Sequence, residues 1–394
     1  MKFWGVRLAS ILGAVAFCFL LEGVAQGQSS FVQRLFVLAG LYVTLAVSLN
    51  LINGITGQFS IGHAAFYQVG AYTAGFCASR FFAQLNLPPA AWLLLMMITS
   101  AITAGLAGLL VGLPSLRLKG DYLAIVTLGF GEIIRIFAQN QEALGGAYGL
   151  TVAPKIQYVW AAWLLAILCI AVCRNLLRTA HGLPFLAVRE DEIASSAMGV
   201  NVTQTKVVAF VLGSMFAGAA GAILAHFESF VSPPMFTMDV SFTIVTMVVL
   251  GGTGSITGSV LAAILLFYLP EKMRDFTNIP LSGVAAAFVA ISAAVFAIRW
   301  VMQNFHGSAK DRAIRYVGIV VAALVIWFIS KALLGNVPSL KENIDGSKLR
   351  MVVFSVTLVV LMLLRPQGML GHHEFSWDWV RSKFGKPTVK EATA

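Results

Sequence analysis

The chain is divided near its middle by the polar stretch HGLPFLAVREDEIASSAMGVNVTQTK, His181–Lys206, with long apolar runs on either side. Four charged residues stand in a row within it: Arg189, Glu190, Asp191 and Glu192. A short helix after them would place four further residues on one face, because positions three and four apart are neighbours on a helix. These are Ile193, Ala194, Ala197 and Met198. Gly199 is well placed to end that helix, since glycine accepts the left-handed conformation at a helix C-terminus. The pattern predicts a small amphipathic helix between two membrane spans, and it fits a docking element and a solvated connector equally well.

The composition indicates an integral membrane protein. Of 394 residues, 58% are hydrophobic and 11% are charged, and the mean hydropathy is +0.84. A soluble protein carries about twice that share of charged residues, and several apolar runs exceed the ~18 residues that mark a membrane span. The net charge of +10 comes from lysines and arginines that lie mostly between spans and in the tail, where they set orientation in the membrane rather than bind nucleic acid. The sequence therefore predicts an all-α polytopic integral membrane protein.

The apolar runs predict about 10–11 transmembrane segments. The first run, 3–21, is interpreted as an uncleaved span rather than a cleaved signal peptide, because further spans follow it. The other runs are 32–52, 64–82, 90–113, 121–138, 158–173, 207–227, 241–269, 281–302, 316–334 and 351–364. The sequence GGTGSITGS interrupts 241–269, which is therefore predicted as a glycine-broken or re-entrant element. The expected organisation is a transmembrane domain over 1–371 and a basic tail over 372–394.

The loops predict an orientation. Lysines and arginines gather before the fifth span and around His181–Lys206, whereas the connections after 3–21 and after 207–227 contain none. The positive-inside rule then places the polar stretch and the N-terminus in the cytoplasm. If 241–269 dips into the membrane and returns, the basic tail is cytoplasmic as well; if it crosses, the tail is outside. The distribution of charge favours the re-entrant arrangement.

Two glycine-rich segments are candidates for a translocation pathway. Both carry the pattern G-x-T-G, at 54–57 and at 251–254. Glycine-broken apolar segments in the two halves of a transporter point to the permeation site, and polar groups at membrane depth need a cavity or a partner helix. The candidate residues are Gln58, Ser60 and His63 in the first segment and Gly251, Gly252 and Gly254 in the second. The alternative, which the pattern does not separate from this one, is that the glycines serve helix packing alone.

Few other residues suggest a role in binding, gating or metal coordination. Glu132 and Arg135 stand three residues apart on the fifth span and can pair on one helix face. They are interpreted as a structural ion pair that locks two helices, with a gate or a contact to a zwitterionic substrate as the alternative. All four cysteines fall in apolar runs and are expected to pack as small apolar residues, without a disulfide or metal.

Sequence motifs argue against catalysis by the chain itself. Neither G-x-x-x-x-G-K-[ST] nor H-E-x-x-H occurs, so neither an ATPase nor a zinc hydrolase is predicted. A membrane-embedded enzyme would need clustered Asp, His or Ser near one membrane face, and His226 with Glu228 is the nearest approach. A secondary transporter would need charged residues deep in several spans, whereas the sequence shows only one intramembrane charged pair, Glu132 with Arg135.

Five blocks in matching order resemble one family and span about 54–371. They are GQFSIGHAAFYQVGAYTAG, LRLKGDYLAIVTLGFGEIIRI, AVREDEIASSAMGVNVTQTKVVAFVLGSMFAGAAGAILAHF, VVLGGTGSITGSVLAAILL and RPQGMLG. They are similar to the permeases of branched-chain amino acid ABC importers. The resemblance implies an ABC importer permease fold in the bacterial inner membrane, paired with a second homologous permease, two cytoplasmic ABC ATPases and an external solute-binding protein. It also implies that the helix in His181–Lys206 couples to an ATPase, and that partner subunits bind the ATP, so no cofactor is expected here.

The resemblance leaves two matters open. Family members usually run from the Pro-Glu found here as Pro270-Glu271 to the last span within a few tens of residues, whereas here an extra helical hairpin, about 278–345, intervenes. An even number of added crossings leaves the side of the C-terminus unchanged. The expected cargo is leucine, isoleucine or valine, because the polar but nearly uncharged surroundings of Gln58, Ser60 and His63 suit a neutral zwitterion. Related importers carry urea, amides or aromatic acids, which are the alternatives.

Overall fold

The computed structural model describes residues 2–115, 121–274 and 279–280, with scattered positions between 282 and 371. The chain divides into two compact units, one formed by Met1–Ile264 with Leu370–Ala394 and the other by Leu265–Met369. Six helical segments of the described part are long and apolar enough to cross a membrane. This confirms the prediction of an all-α polytopic membrane protein.

Six long helices precede the polar stretch and match the six predicted spans to within a few residues at each end. They are α1 (Lys2–Gln26), α2 (Ser30–Asn50), α3 (His63–Leu85), α4 (Pro89–Ser115), α5 (Asp121–Asn140) and α6 (Val159–Arg178). The polar stretch itself forms α7 (Leu183–Glu190) and α8 (Glu192–Ala197), and α9 (Val202–Glu228) follows. The predicted spans 281–302, 316–334 and 351–364 lie, apart from scattered positions, outside the described residues.

The glycine-broken element is confirmed. Helix α10 (Met238–Gly251) ends and α11 (Ile256–Arg274) begins after four residues without helical structure. Gly252 has φ +110° and Gly254 has φ +95°, backbone conformations that side chains with a Cβ rarely adopt. A Cβ on Gly251 would lie 2.5 Å from the backbone of Gly258. The two helices therefore meet backbone to backbone at the break.

Small residues allow the helices of the first unit to pack closely. A Cβ added to Gly70 of α3 would collide with the backbone of Gly218 in α9, and one added to Gly221 would collide with the carbonyl of Tyr67. The Ser100 hydroxyl of α4 donates a 2.8 Å hydrogen bond to the carbonyl of Gly70. No hydrophobic driving force brings helices together in lipid, so close packing and interhelical hydrogen bonds stabilise their association instead. These contacts join α3, α4 and α9 into the core.

Helix α2 lies in the interior, and 78% of its apolar window is buried. It continues into one π-helical turn, Leu51–Ile55, a form that often marks functional sites. At its other end, Arg34 pairs with Glu228 of α9 at 2.6 Å. The helix thus connects the far end of α9 to the first of the two glycine segments.

Short strands complete the described structure. In the first unit, β1 (Leu150–Thr151) pairs antiparallel with β2 (Phe230–Val231). In the second unit, β3 (Ile279–Pro280) pairs antiparallel with β4 (Asn343–Ile344), and Ile279 stands opposite Ile344. This pairing joins the two ends of the predicted extra hairpin, 278–345, whose remainder lies largely outside the described residues, as does the tail 372–394.

Candidate translocation and coupling site

The two glycine segments lie in direct contact. The side-chain oxygen of Asn50, in the last turn of α2, accepts a 2.9 Å hydrogen bond from the N–H of Gly254. A Cβ on Gly54 would collide with that oxygen and with the Gly254 nitrogen. The G-x-T-G segments at 54–57 and 251–254 therefore form one structure, which we call the glycine junction.

Arg189 connects the polar stretch to the glycine junction. Its Nη1 donates a 3.3 Å hydrogen bond to the carbonyl of Gly54. A Cβ on Gly57 would stand 3.3 Å from the Arg189 Cγ, and one on Gly254 would stand 2.6 Å from Nη1. Because Gly57 also has a positive φ of 71°, glycine is required on both sides of this side chain. The arrangement brings an arginine of the predicted coupling loop against both candidate pathway segments.

The short helix predicted after the four charged residues is confirmed as α8, whereas α7 ahead of it was not predicted. Asp191 is extended, with φ −157°, and its carboxylate accepts hydrogen bonds from the N–H groups of Ile193 at 2.8 Å and Ala194 at 3.0 Å. An aspartate in this position caps a new helix, so α7 ends before it and α8 begins after it. Gly199 follows α8 with φ +87°, as expected for the end of a helix.

The apolar side chains of α8 are exposed. Ile193 is 75% and Met198 85% accessible, and Ala194 and Ala197 are exposed as well. Glu192 points the other way and pairs with Lys206, which is nearly buried at the start of α9. Glu190 pairs with Arg189 at 3.2 Å and remains 76% exposed. The stretch thus presents an apolar surface outward while its charged residues hold it against the membrane domain.

The polar residues of the first segment are buried rather than open to a channel. Gln58 donates hydrogen bonds from Nε2 to the Thr56 hydroxyl at 2.9 Å and to the Lys206 carbonyl at 3.3 Å. The Nε2 of His63 lies 2.8 Å from the Ser48 hydroxyl, and the N–H of Ser60 donates to the side-chain oxygen of Asn53 at 3.1 Å.

Each of these three residues nevertheless keeps one unpartnered atom. Among the described residues, the Gln58 Oε1, the Ser60 Oγ and the His63 Nδ1 have no hydrogen-bond partner. Since buried polar atoms are usually paired, this cluster beside the glycine junction has spare hydrogen-bonding capacity for water or for a passing solute.

A cavity that the sequence analysis missed lies between α3 and α5. Its volume is about 460 Å³. Its lining residues are Gln68, Val69, Tyr72, Thr73, Phe76, Ile134, Phe137, Ala138 and Leu144. The available signal was the spacing of Gln68, Tyr72 and Phe76, which places two polar side chains and an aromatic ring on one face of α3.

The remaining candidates have structural partners. Glu132 and Arg135 pair at 2.7 Å across one turn of α5. His226 accepts a 2.9 Å hydrogen bond from the Trp92 indole and lies 2.9 Å from the Ala222 carbonyl, while Glu228 is engaged by Arg34. The four cysteines are free thiols, three of them buried. No enzyme-like cluster is assembled from His226 and Glu228.

Comparison with known proteins identifies the family. The sequence profile of the family described as "Branched-chain amino acid transport system / permease component" matches residues 31–299, about two thirds of the chain. The chain belongs to this family. The family membership confirms the resemblance found in the five sequence blocks, and with the membrane-spanning helices it identifies a multi-pass protein of the inner membrane.

Individual members of the family are similar over about three fifths of this chain. The permease protein LivM of the high-affinity branched-chain amino acid transport system is 37% identical over 273 residues in both Salmonella typhimurium and Escherichia coli, covering 60% of this chain and 62% of the relative. The LivH permease protein of Salmonella typhimurium is 23% identical over 285 residues, covering 64% of this chain and 91% of the relative. The chain thus spans about three fifths of the length of these LivM relatives. No solved structure matches.

Proposed function

We propose that the chain is the membrane-spanning permease subunit of an ATP-binding-cassette importer for branched-chain or related apolar amino acids. Its partners are a second homologous permease, two cytoplasmic ABC ATPases, an external solute-binding protein and membrane lipid. ATP is bound and hydrolysed by the ATPase partners, so the chain is not an enzyme and holds no cofactor. The observation that carries this proposal is the contact of Arg189 with the glycine junction, within a chain of this permease family.

The contact supplies a route for coupling. Ile193 and Met198 form an exposed apolar surface, which a groove on an ATPase would cover. Arg189 lies one helix away and touches the glycine junction, so displacement of α7 and α8 by the ATPase moves the side chain that separates Gly57 from Gly254. Because the backbones at the glycine junction are closely packed, few intermediate conformations are available to them. The junction therefore responds to the displacement of α7 and α8 by switching between two packings.

The second permease subunit is proposed from the relatives. LivM and LivH of Salmonella typhimurium both carry the name of permease protein of the same transport system, and this chain is similar to both. A LivH-like chain is therefore the proposed partner. Co-purification of this chain with such a partner and with ATPases tests the assembly and separates it from a secondary transporter, which works alone on an ion gradient.

The coupling surface is tested by placing charge on it. We expect Ile193→Asp with Ala197→Asp to insert normally and to abolish ATP-driven uptake, because two carboxylates cannot enter an apolar groove without unpaired burial of charge. The measurement is uptake by the reconstituted importer together with ATP hydrolysis stimulated by the loaded binding protein.

The matched control carries the same two charges outside α8. Asn175→Asp with Ala180→Asp places carboxylates at exposed positions near the end of α6, and it should transport like the unaltered chain. Normal uptake by the Ile193 and Ala197 double variant would show that the stretch is only a connector.

The cargo is tested by uptake of labelled solutes into vesicles that hold the complete importer with its own binding protein. We expect ATP-dependent uptake of leucine, isoleucine or valine. Uptake of urea, an amide or an aromatic acid without any of these three would overturn the cargo and leave the permease assignment standing. Uptake without ATP that follows an ion gradient would overturn the importer assignment.

A further inference from the structure

Helix α5 carries two charged residues at membrane depth. Glu132 and Arg135 pair at 2.7 Å, and their side chains are 22% and 26% exposed. About 16 Å of helix separates the start of α5 from Glu132, so the pair stands near the middle of a hydrocarbon core that is about 30 Å thick. Charged side chains at that depth are costly in contact with lipid, and they usually face a partner or a water-filled space. The exposed side of this pair therefore calls for a polar neighbour.

The pair keeps polar atoms that a further molecule can reach. The Oε2 of Glu132 accepts both bonds from Arg135, from Nε at 2.8 Å and from Nη2 at 2.7 Å. In the described part of the chain, no hydrogen bond or ion pair joins either residue to another helix. The Glu132 Oε1 and the Arg135 Nη1 therefore take no part in any bond there, and neither is among the enclosed atoms without a partner. One carboxylate oxygen and one guanidinium nitrogen thus remain accessible.

The exposed face of α5 differs from a face that meets lipid. Helix α4 contains no charged residue. Its exposed side chains include Leu94, Ile98, Ile102, Leu106 and Leu110. Around the pair, α5 instead exposes Gly129, Ile133 and Ile136. Gly129 has nothing within 4 Å of the position that a Cβ would take, so there is open space one turn away from Glu132. This face combines a charged pair with room for a small molecule and an apolar surface beside it.

The pair lies between the outside and the glycine junction. About one and a half turns before Glu132, the Thr127 hydroxyl accepts a 3.1 Å hydrogen bond from the N–H of Ile61. A Cβ on Gly62 would collide with the Thr127 carbonyl, so α5 packs directly on the first glycine segment. The other end of α5 leads to α6, which separates that connection from the polar stretch, so the two lie on opposite sides of the membrane. A solute from outside therefore passes the pair before it reaches the junction.

We propose that Glu132 and Arg135 form a binding site for a zwitterionic α-amino acid in the translocation pathway. The Glu132 Oε1 accepts from the ammonium of the ligand and the Arg135 Nη1 donates to its carboxylate, so the ligand lies antiparallel to the pair and adds two charge-assisted hydrogen bonds without breaking it. The apolar side chain of the ligand lies over Gly129 and against Ile136. Because 22% of the apolar window of α5 is buried in this chain, the second permease supplies the opposite wall. The inference rests on the proposed function and deepens it by making the permease itself selective for a zwitterion.

Thiol accessibility tests whether this face meets water. Ile133→Cys on α5 and Ile98→Cys on α4 are matched variants, because the two isoleucines are 64% and 59% exposed and both lie within about 14 Å of the outer ends of their helices. The assembled importer in lipid nanodiscs is treated with a charged methanethiosulfonate reagent. We expect Ile133→Cys to react at least about tenfold faster than Ile98→Cys, since lipid excludes a charged reagent. The unaltered chain gives the background from its own four free thiols.

Protection by ligands tests recognition. L-leucine is added before the reagent, without the solute-binding protein, and is compared with isocaproate, which lacks the ammonium, and isoamylamine, which lacks the carboxylate. We expect L-leucine to slow the modification of Ile133→Cys. Each analogue should need about a tenfold higher concentration for the same effect, as expected when one hydrogen bond to a charged group is lost.

The charged pair is removed as a unit, because a single neutralisation would leave one charge unpaired in the membrane. In the Ile133→Cys chain, Glu132→Gln with Arg135→Gln should raise the protecting concentration of L-leucine by about tenfold or more. In the chain without the added cysteine, the same double variant should lower ATP-driven uptake of L-leucine. The unfolding temperature should not fall, since replacing both partners of an ion pair is often neutral. A pair that served only the fold would lower that temperature and leave protection unchanged.

The matched control neutralises one charge of each sign elsewhere. Glu142→Gln with Lys155→Gln does so at exposed positions in the connection between α5 and α6, and it should change neither protection, uptake nor stability. Arg135→Lys keeps the charge and loses the planar set of donors. It provides the second test if the double variant at the pair folds poorly, and it should weaken protection in the same direction.

The outcomes distinguish this inference from the proposed function. Reaction of Ile133→Cys no faster than that of Ile98→Cys would mean that the face meets lipid, and it would overturn the site. Modification that L-leucine does not slow, equal protection by L-leucine and both analogues, or unchanged protection after removal of the pair would also overturn it. Each of these results leaves the importer standing. Protection by L-leucine that depends on the pair, without any ATP-driven uptake by the importer, would uphold the site and overturn the proposed function.

Discussion

Single residues at the glycine junction have backbone conformations and surroundings that only glycine fits. Gly254 combines a positive φ with a close Arg189 side chain, whereas Gly199 has a similar φ of 87° and open space around it. A side chain at either position strains the backbone by about 1–2 kcal/mol, but only at Gly254 does it also displace the arginine. Comparing substitutions at Gly199 and Gly254 therefore distinguishes the cost of backbone strain from the cost of displacing Arg189.

We expect Gly254→Ala to destabilise the chain more than Gly199→Ala does. Both variants incur the same backbone strain, and the first adds overpacking, typically about 1–3 kcal/mol. The measurement is the unfolding temperature of each purified variant in one detergent. Equal losses of stability would show that the contact between Arg189 and Gly254 has no energetic consequence.

Arg189 is the residue at which coupling is most directly tested. Its hydrogen bond to the Gly54 carbonyl involves a charged donor, for which the net contribution is about 1.5–3 kcal/mol. Arg189→Gln should therefore lower the amount of solute imported per ATP hydrolysed by about tenfold or more, since about 1.4 kcal/mol corresponds to a factor of ten.

The control for Arg189 is its neighbour. Glu190 is 76% exposed, and ion pairs in that setting contribute about 0–1 kcal/mol, so Glu190→Gln should leave the ratio of transport to ATP hydrolysis nearly unchanged. An identical ratio in Arg189→Gln and the unaltered chain would remove Arg189 from the coupling route.

At the scale of elements, the core depends on close approach of α3 to α9. Gly70 faces the backbone of Gly218, whereas Gly129 in α5 has nothing within 4 Å of the position that a Cβ would take. Glycine inside a helix is less favourable than alanine by about 1 kcal/mol. The same substitution should therefore have opposite effects at the two positions.

We expect Gly70→Ala to lower the unfolding temperature and the yield of monodisperse protein, because α3 and α9 would have to move apart. Gly129→Ala should leave both unchanged or raise the unfolding temperature. Thermal unfolding followed by circular dichroism checks both variants, and a Gly70→Ala chain as stable as the original would mean that the core accommodates the added methyl group.

For the whole molecule, the topology of the C-terminal part is a prediction from charge. The basic tail after Arg365 should remain in the cytoplasm. A reporter that is active only outside the cytoplasm should be silent when fused after Gly371 and active when placed after Gly27, in the connection between α1 and α2. Strong activity of the fusion after Gly371 would place the tail outside and exclude the re-entrant arrangement of 241–269.

The sequence by itself determined the membrane class, the positions of the long apolar helices up to α9 and the break at Gly252, because hydropathy and glycine conformation act locally along the chain. It also located the polar stretch and the short helix α8 within it, but it predicted neither α7 nor the N-cap at Asp191 that separates the two helices. Only the tertiary structure placed Asn50 against Gly254, 204 residues away, brought Arg189 to both glycine segments, and opened the cavity beside Gln68. The physical reason is that hydropathy measures the preference of a segment for lipid over water, whereas the choice of neighbouring helices depends on side-chain shape and hydrogen bonding between segments that are distant in sequence.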